Sequence, residues 1–292
     1  MSFDDFFHIL NPSSAHRGGV RKLFRRLRKV DLAWVERESH PTHLETIVDW
    51  AVLEKRDQIA VWGGDGTLSR VAQALYERNA LGKVKVCLVP AGTCNDFARQ
   101  VGIDSWRQVA KKEFSNGQPQ SYDLGLLEHR FGRRVFVNNS GFGRTEEALK
   151  RARPRAIKDI WSLEEKKLRV DWGGGETKQY QAFQALLGVV FNAPFFNKGL
   201  HFSRDVRPDD GILSAFFIPP VRRWRLLWRF LKGRWGQPLA DSHTIRLDGE
   251  FLNVDSDQVL FPQADGEPAA LGSVKALKYS VLPLKFEMVE FR

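Results

Sequence analysis

Between Gln58 and Tyr76 the chain passes from strand to helix in a way that constrains everything around it. Gln58-Ile59-Ala60-Val61-Trp62 is a mostly apolar run with the length and bulk of a buried strand. Gly63-Gly64-Asp65-Gly66-Thr67 ends it abruptly, and Leu68, Val71, Ala72, Leu75 and Tyr76 then recur at the three- and four-residue spacing of a helix face. A strand, a glycine turn and a helix start aim backbone N–H groups at an anion. Glycine lets the chain approach a phosphate with no Cβ in between. Asp65 would repel a bare phosphate, so its presence points to a metal ion or a polar ligand group between the two.

The segments around this turn repeat its grammar. Phe6 to Leu10 reads as a strand ending in Asn11-Pro12-Ser13-Ser14. Val20, Leu23, Phe24, Leu27 and Val30 define a helix face whose remaining surface is Arg and Lys; packing on a sheet is preferred there over RNA binding. Asp31 to Val35 reads as a strand, Thr42 to Leu53 as a helix, Val84 to Pro90 as a strand and Trp106 to Phe114 as helix-like. Strands alternating with helices predict a parallel sheet covered on both faces. In such sheets the functional loops gather at the carboxyl ends of the strands, so loops 11–14, 63–67 and 91–96 are expected to converge.

Beyond Ser115-Asn116-Gly117-Gln118-Pro119 helical periodicity becomes scarce. Tyr122–Leu127, Arg134–Asn138, Leu168–Trp172, Tyr180–Asn192, Gly211–Ile218, His243–Asp248, Phe251–Val254, Ala276–Val281 and Phe286–Phe291 read as strands, with helical insertions at Arg144–Ile160 and Val221–Lys232. The expected fold class is an α/β N-terminal domain followed by a mostly β C-terminal domain. The boundaries are 1–120 and 121–283, with about 284–292 returning to the first domain.

Charge and cysteine content narrow the partners. With 45 Lys and Arg against 35 Asp and Glu in 292 residues, the formal charge is +10. Such a surface suits anionic lipid, a phosphorylated small molecule or nucleic acid, or is simply a solvated basic face. Cys87 and Cys94 fit neither a zinc pair nor a redox pair and read as buried thiols of a reducing compartment. The acidic N-terminus is unlike a signal peptide, and no apolar run reaches the ~20 residues of a membrane span. A cytoplasmic protein that touches a membrane surface is expected.

Gly63-Gly64-Asp65-Gly66-Thr67, Pro90-Ala91-Gly92-Thr93-Cys94-Asn95-Asp96-Phe97-Ala98-Arg99 and Asp265-Gly266-Glu267-Pro268, taken together, resemble the diacylglycerol kinase catalytic-domain family, which includes sphingosine kinases and bacterial lipid kinases. The first motif alone also occurs in NAD kinases and phosphofructokinases; the second is more specific. The resemblance spans nearly the whole chain. It implies an N-terminal domain like that of NAD kinase and phosphofructokinase, a C-terminal β-sandwich, an active-site cleft between them, and transfer of the γ-phosphoryl group of ATP to a lipid hydroxyl. No Gly-x-x-x-x-Gly-Lys-Ser/Thr is present, so the phosphate cradle is not a P-loop.

Residue by residue, the resemblance assigns Gly63, Gly64, Asp65, Gly66, Thr67, Ser69, Thr93, Asn95 and Asn11 to the nucleotide. Asp65, Asp96 and Asp123 fall at positions used around a catalytic Mg2+, partly through water. Asp265 would be the general base and Glu267 its support. In Arg207-Pro208-Asp209-Asp210-Gly211-Ile212 the Asp210 carboxylate and the carbonyls of Arg207 and Ile212 would hold a second, structural cation; the competing reading is a plain Asp-Gly turn.

The first loop departs from the family pattern, with Ala15 and Arg17 where glycines are usual. Glu36-Arg37-Glu38-Ser39 stands where a nucleotide-contacting threonine is common, and Arg37 could meet phosphate instead. The implied partners are a lipid substrate and an anionic membrane surface, with no nucleic acid expected and a homodimer left open. Trp224, Leu227, Trp228 and Leu231 form a stripe on a basic helix that suits either a lipid interface or packing on the sandwich. Two rival functions stay open: a kinase of NAD or another small molecule, and an inactive kinase fold that binds anionic lipid or nucleic acid.

Overall fold

A computed structural model describes residues 6–10, 32–34, 42–103, 105, 118–143, 160–269 and 274–290. The expected helices at 20–30 and 106–114 and the insertion at 144–159 lie outside the described residues. The chain divides into two compact units, Met1–Tyr122 with Leu284–Arg292, and Asp123–Pro283.

The first unit is built on strands β1 (Phe7–Leu10), β2 (Leu32–Trp34), β3 (Gln58–Gly63), β4 (Lys85–Pro90) and β5 (Gln118–Tyr122). The described helices are α1 (Thr42–Leu53), α2 (Asp65–Glu77) and the short α3 (Asp96–Gln100). A further strand, Phe286–Glu290, comes from the far end of the chain. It is β20 in chain order and lies between β4 and β5, giving the order β2-β1-β3-β4-β20-β5. Pairing is parallel from β2 through β20 and antiparallel onto β5.

Helix-covered parallel strands are apolar on both faces, which is why Ile59-Ala60-Val61-Trp62 reads as a continuous buried run. Two buried polar side chains of β1 and β3 pair with each other, Trp62 Nε1 donating to His8 Nδ1 at 3.0 Å. At the opposite edge Tyr122 donates its hydroxyl to the buried Glu290 carboxylate. Helix α2 turns Leu68, Val71, Ala72 and Leu75 to the core, and Arg70–Glu45 (3.2 Å) and Arg78–Asp49 pair it with α1.

The second unit carries strands β6 (Gly125–His129), β7 (Gly132–Phe136), β8 (Asn139–Phe142), β9 (Lys166–Gly174), β10 (Thr177–Ala185), β11 (Leu187–Phe191), β12 (Phe195–Phe196) and β13 (Leu200–His201). They are followed by β14 (Leu213–Ile218), helix α4 (Arg223–Arg234), β15 (Ile245–Gly249), β16 (Phe251–Leu260), β17 (Gln263–Ala264), β18 (Glu267–Pro268) and β19 (Val274–Val281). One antiparallel sheet has the order β10-β9-β16-β19-β6-β7 and the other β15-β14-β11-β8-β17-β18.

Leu127, Phe136, Val170, Val254 and Leu277 of the first sheet share a core with Phe142, Val190, Ala215, Phe217 and Leu247 of the second, which makes a sandwich. The other face of the second sheet is covered too. Val189, Phe191, Phe216 and Ile218 pack there with Phe202, Leu239 and Leu226 of α4. Strand β14 is therefore buried at every position.

Two long runs in the sequence are each cut in two. Tyr180–Asn192 breaks at Leu186, whose N–H goes to the Ile218 carbonyl at 2.8 Å. The exposed β10 then stays in one sheet while the buried β11 enters the other. Tyr122–Leu127 breaks at Asp123-Leu124. There Asp123 donates its N–H to the Pro208 carbonyl (2.6 Å) and accepts from the Gly211 N–H (2.7 Å) in place of ladder partners. The cysteines also differ from expectation: Cys87 is a buried thiol with its pKa pushed up by burial, but Cys94 lies half-buried in a loop.

Phe286 of β20 has no exposed surface. The substitution Phe286→Ala is expected to cost about 3–5 kcal/mol of stability, read from urea unfolding. A loss under about 1 kcal/mol would mean that the returning strand carries little of the first unit's core.

Candidate active site

The two glycine loops begin side by side because β3 and β4 are paired neighbours, with Gly63 opposite Pro90 and the Ala91 N–H on the Gly63 carbonyl at 2.9 Å. They then touch through glycine. A Cβ on Gly92 would lie 2.3 Å from Gly64 Cα, and one on Gly64 would lie 2.9 Å from Gly92 Cα. No other residue type fits either position without parting the loops.

Polar contacts lock this arrangement. Asn95, at φ 52°, folds its amide back on Gly92: its Oδ1 accepts the Gly92 N–H at 3.0 Å and its Nδ2 donates to the Gly92 carbonyl at 3.1 Å. Asp65 crosses from the first loop to the second. Its Oδ2 accepts the Asp96 N–H at 3.0 Å and its Oδ1 the Phe97 N–H at 2.9 Å, so a carboxylate caps the positive end of α3. The carboxylate that looked out of place in the sequence is thus the clasp between the loops.

A phosphate fits this site. Gly64 precedes helix α2 and offers no side-chain cap to its first-turn amides. Gly64 and Gly92 approach so closely that neither has room for a Cβ, which keeps both loop backbones free of side chains here, and Ser69, buried just past the first turn, has a hydroxyl with no hydrogen-bond partner. Thr67 is buried beside it, Gly66 is half-buried, and Thr93 is exposed on the second loop. Asn11 lies outside the described residues, as does Arg37.

No group of three or more His, Cys, Asp or Glu among the described residues could hold a metal by itself. Mg2+ accompanying phosphates needs only one or two carboxylates with phosphate oxygens and waters. Asp65 and the buried Asp96, adjacent at the clasp, fit that requirement.

Asp123 belongs to the second unit, where its carboxylate accepts the Gly211 N–H. It sits with the loop 207–212, in which Arg207 pairs with Asp209 at 3.1 Å and Asp210 Oδ1 accepts the Ile212 N–H at 3.0 Å. Burial raises the pKa of Asp210; the Ile212 N–H opposes, and the charges of Asp123 and Asp209 raise it further. An excess of negative charge of this kind is relieved by a hard cation. Gly211, at φ 76°, equally serves the plain turn.

Asp265 and Gly266, at φ 48° and 88°, form the two-residue turn between β17 and β18. Positive φ at both central residues is the signature of the type I′ hairpin, which Asp-Gly favours. The turn projects the Asp265 carboxylate onto the connection between β7 and β8: Oδ2 accepts the Val137 N–H (2.8 Å), and Oδ1 accepts those of Asn138 (2.8 Å) and Asn139 (3.1 Å). The Asp265 N–H returns to the Asn139 carbonyl at 2.8 Å. Glu267, exposed on β18, pairs with Arg134 at 3.2 Å.

Sequence reasoning missed Asn192. Buried, it donates from Nδ2 to the carbonyls of Asp123 (2.9 Å) and Val137 (2.8 Å), tying the Asp123 segment to the turn that Asp265 holds. Its Oδ1 has no hydrogen-bond partner. The available signal was an amide at the end of the uninterrupted apolar stretch Ala185–Phe191, where a buried polar group implies a specific partner.

A clasped pair of glycine loops on a parallel sheet, followed by a β-sandwich, defines a class of kinase-like two-domain proteins. The diacylglycerol kinase catalytic domain profile matches residues 5–127, and that of the YegS C-terminal NAD kinase beta sandwich-like domain matches residues 136–289. The chain belongs to this family of diacylglycerol kinase and YegS-like lipid kinase proteins. It is 26% identical over 276 residues to a probable YegS-like lipid kinase of Pseudomonas fluorescens (strain Pf0-1), covering 89% of this chain and 86% of that protein. It is 28% identical over 278 residues to a diacylglycerol kinase of Staphylococcus aureus (strain MRSA252), covering 89% and 84%. A crystal structure of a diacylglycerol kinase from Bacillus anthracis str. Sterne superposes with a TM-score of 0.71 at 18% identity, over 100% of this chain and 98% of that one, which shows the shared fold.

Two substitutions test the local geometry. Asp65→Asn keeps one good acceptor for the two α3 amides. It is expected to speed hydrogen exchange at Asp96 and Phe97 by roughly tenfold or more, since losing a charged hydrogen bond costs roughly 1.5–3 kcal/mol; unchanged exchange would mean that the carboxylate does not clasp the loops. For Asp210 the raised pKa means that its contribution to stability is present at acid pH and is lost as pH rises through its folded pKa. Asp210→Asn is therefore expected to raise the thermal midpoint at neutral pH in divalent-free buffer. If the loop holds a cation, the wild-type midpoint also rises with added Mg2+ and that of the variant does not.

Proposed function

We propose that the protein is an ATP- and Mg2+-dependent lipid kinase that phosphorylates the hydroxyl of a diacylglycerol-like or sphingoid lipid. The observation that carries the reading is the clasped loop pair: two glycines packed backbone against backbone beside the uncapped start of α2, with a carboxylate bridging the loops. This is a cradle for the phosphates of a nucleotide. The names of the relatives, probable lipid kinase and diacylglycerol kinase, support a lipid as acceptor.

When bound, the nucleotide with Mg2+ supplies the transferable phosphoryl group and neutralises its charge. Gly64, Gly66, Thr67 and Ser69 would receive the phosphates, and Thr93 and Asn95 the nucleotide from the second loop. Asp65 and Asp96 would hold the cation. Asp65 keeps both loops in register while doing so.

Asp265 would accept the proton of the lipid hydroxyl. Both of its oxygens accept backbone amides, Oδ2 from Val137 and Oδ1 from Asn138 and Asn139, so the carboxylate cannot rotate. Glu267 would support the base from the next strand of the hairpin, itself oriented by Arg134. Phosphoryl transfer asks mainly for positioning and charge compensation, and these residues supply both.

The test is incubation with γ-labelled ATP and Mg2+, in parallel with a total lipid extract and with NAD. Label is expected in a lipid, and Asp265→Asn should lower its rate by roughly 10²–10⁴-fold. Label in NADP alone would overturn the lipid assignment. No label anywhere would overturn the kinase assignment.

A further inference from the structure

Helix α4 is oriented against its own composition. It points Leu226, Arg229 and Gly233 at the sandwich and leaves Trp224 61%, Trp228 48%, Leu231 41% and, just past its end, Trp235 72% exposed. These four recur at the spacing of one helix face, so they form a single apolar stripe. An arginine inside and three tryptophans outside is the reverse of what water alone selects.

The orientation is pinned. Arg229 pairs with Asp241, Arg223 donates to the Leu163 carbonyl, and a Cβ on Gly233 would lie 2.7 Å from Leu239 Cδ2. The helix cannot roll to hide the stripe without breaking the ion pair of the buried Arg229 and driving side chains into Leu239.

The surround of the stripe carries one sign of charge. Between Val221 and Trp235 there is no acidic residue. Arg222, Arg225, Lys232 and Arg234 are exposed, and no ion pair among the described residues uses them. Lys232 Nζ stands 5.9 Å over the Trp228 ring, and Trp235 meets Trp228 edge-on at 6.3 Å, so apolar and cationic groups form one continuous surface.

We infer that the exposed face of α4 is a docking surface for an anionic bilayer. Tryptophan settles at the headgroup level, where its ring is apolar and its N–H is wet. The flanking guanidinium groups pair with lipid phosphates, and a helix with this arrangement lies in the plane of the interface. The occupant follows from charge. Two copies joined through this same face would set arginine against arginine, whereas an anionic surface compensates all four cations at once. The inference goes beyond the proposed reaction, because membrane docking is measured without turnover.

The experiment is flotation of the full chain, without nucleotide, on vesicles of phosphatidylcholine alone and of phosphatidylcholine mixed with phosphatidylglycerol. The wild type is expected on the anionic vesicles only, with binding weakened by salt. The triple variant Arg222→Gln/Arg225→Gln/Arg234→Gln should lower partitioning on the order of a hundredfold. Trp224→Ser/Trp228→Ser/Trp235→Ser should lower it comparably, and the control Arg169→Gln on β9 should not. Because the substituted side chains are exposed, thermal midpoints should stay at the wild-type value. If a triple variant does not fold, quenching of tryptophan fluorescence by brominated acyl chains gives the readout, and it should fall in Trp228→Phe. Failure of the wild type to bind anionic vesicles, equal binding by all variants, or a wild-type dimer dissociated by the tryptophan variant would each overturn the inference. A detergent-micelle kinase assay on the same variants keeps this outcome separate from that of the proposed reaction.

Discussion

The Asp65 carboxylate reaches a helix start 31 residues further along the chain, and the pairing of the two glycine loops depends on that reach. Two parallel strands bring the loops alongside, but strand pairing ends at Gly63 and Pro90. Past that point the chains would separate without a force between them. The carboxylate supplies it by taking two amide protons at the positive end of α3, and Gly64 and Gly92 permit it by having no side chains to hold the backbones apart. The same group that closes the loops stands where a phosphate-borne cation would need an oxygen ligand. One aspartate serves structure and proposed chemistry together, so its removal cannot be read as a catalytic loss alone.

The second unit solves a comparable problem with different parts. A type I′ turn sets Asp265 at the end of a very short hairpin, and three amides of the β7–β8 connection fix its carboxylate. Asn192 then ties that connection to the backbone of Asp123, whose carboxylate engages the 207–212 loop. The acidic positions of this unit are therefore joined through backbone hydrogen bonds. A backbone network transmits position well because its groups have little conformational freedom to lose.

Basic charge is spread over the whole chain, yet α4 concentrates it next to exposed tryptophan. The helix is held by an ion pair of a buried arginine rather than by its largest apolar residues. Such a pair adds little net stability, but an orientation that left the arginine buried without its partner would be strongly penalised. It therefore fixes which face of the helix meets solvent, and composition by itself had left that choice between two opposite faces.

The strand–turn–helix at Gln58 to Tyr76, the alternation of strands and helices before residue 115 and the β-rich remainder were legible in the sequence alone, because apolar periodicity and glycine placement act locally. Helix α1 has the bounds its pattern implied, and β3 and β4 depart from theirs by a residue. Local patterns could not show where a strand leaves one sheet for another: the breaks at Leu186 and Asp123 come from hydrogen bonds to Ile218, Pro208 and Gly211, far away in the chain. The short pairs β12–β13 and β17–β18 escaped notice for the same reason, since two residues carry no period. The sequence supplied the candidate residues and the order of the elements that carry them. The tertiary structure alone decided that Asp65 clasps the second glycine loop, that Asp123 engages the 207–212 loop and that the tryptophans of α4 face outward, because each depends on a partner that sequence spacing does not specify.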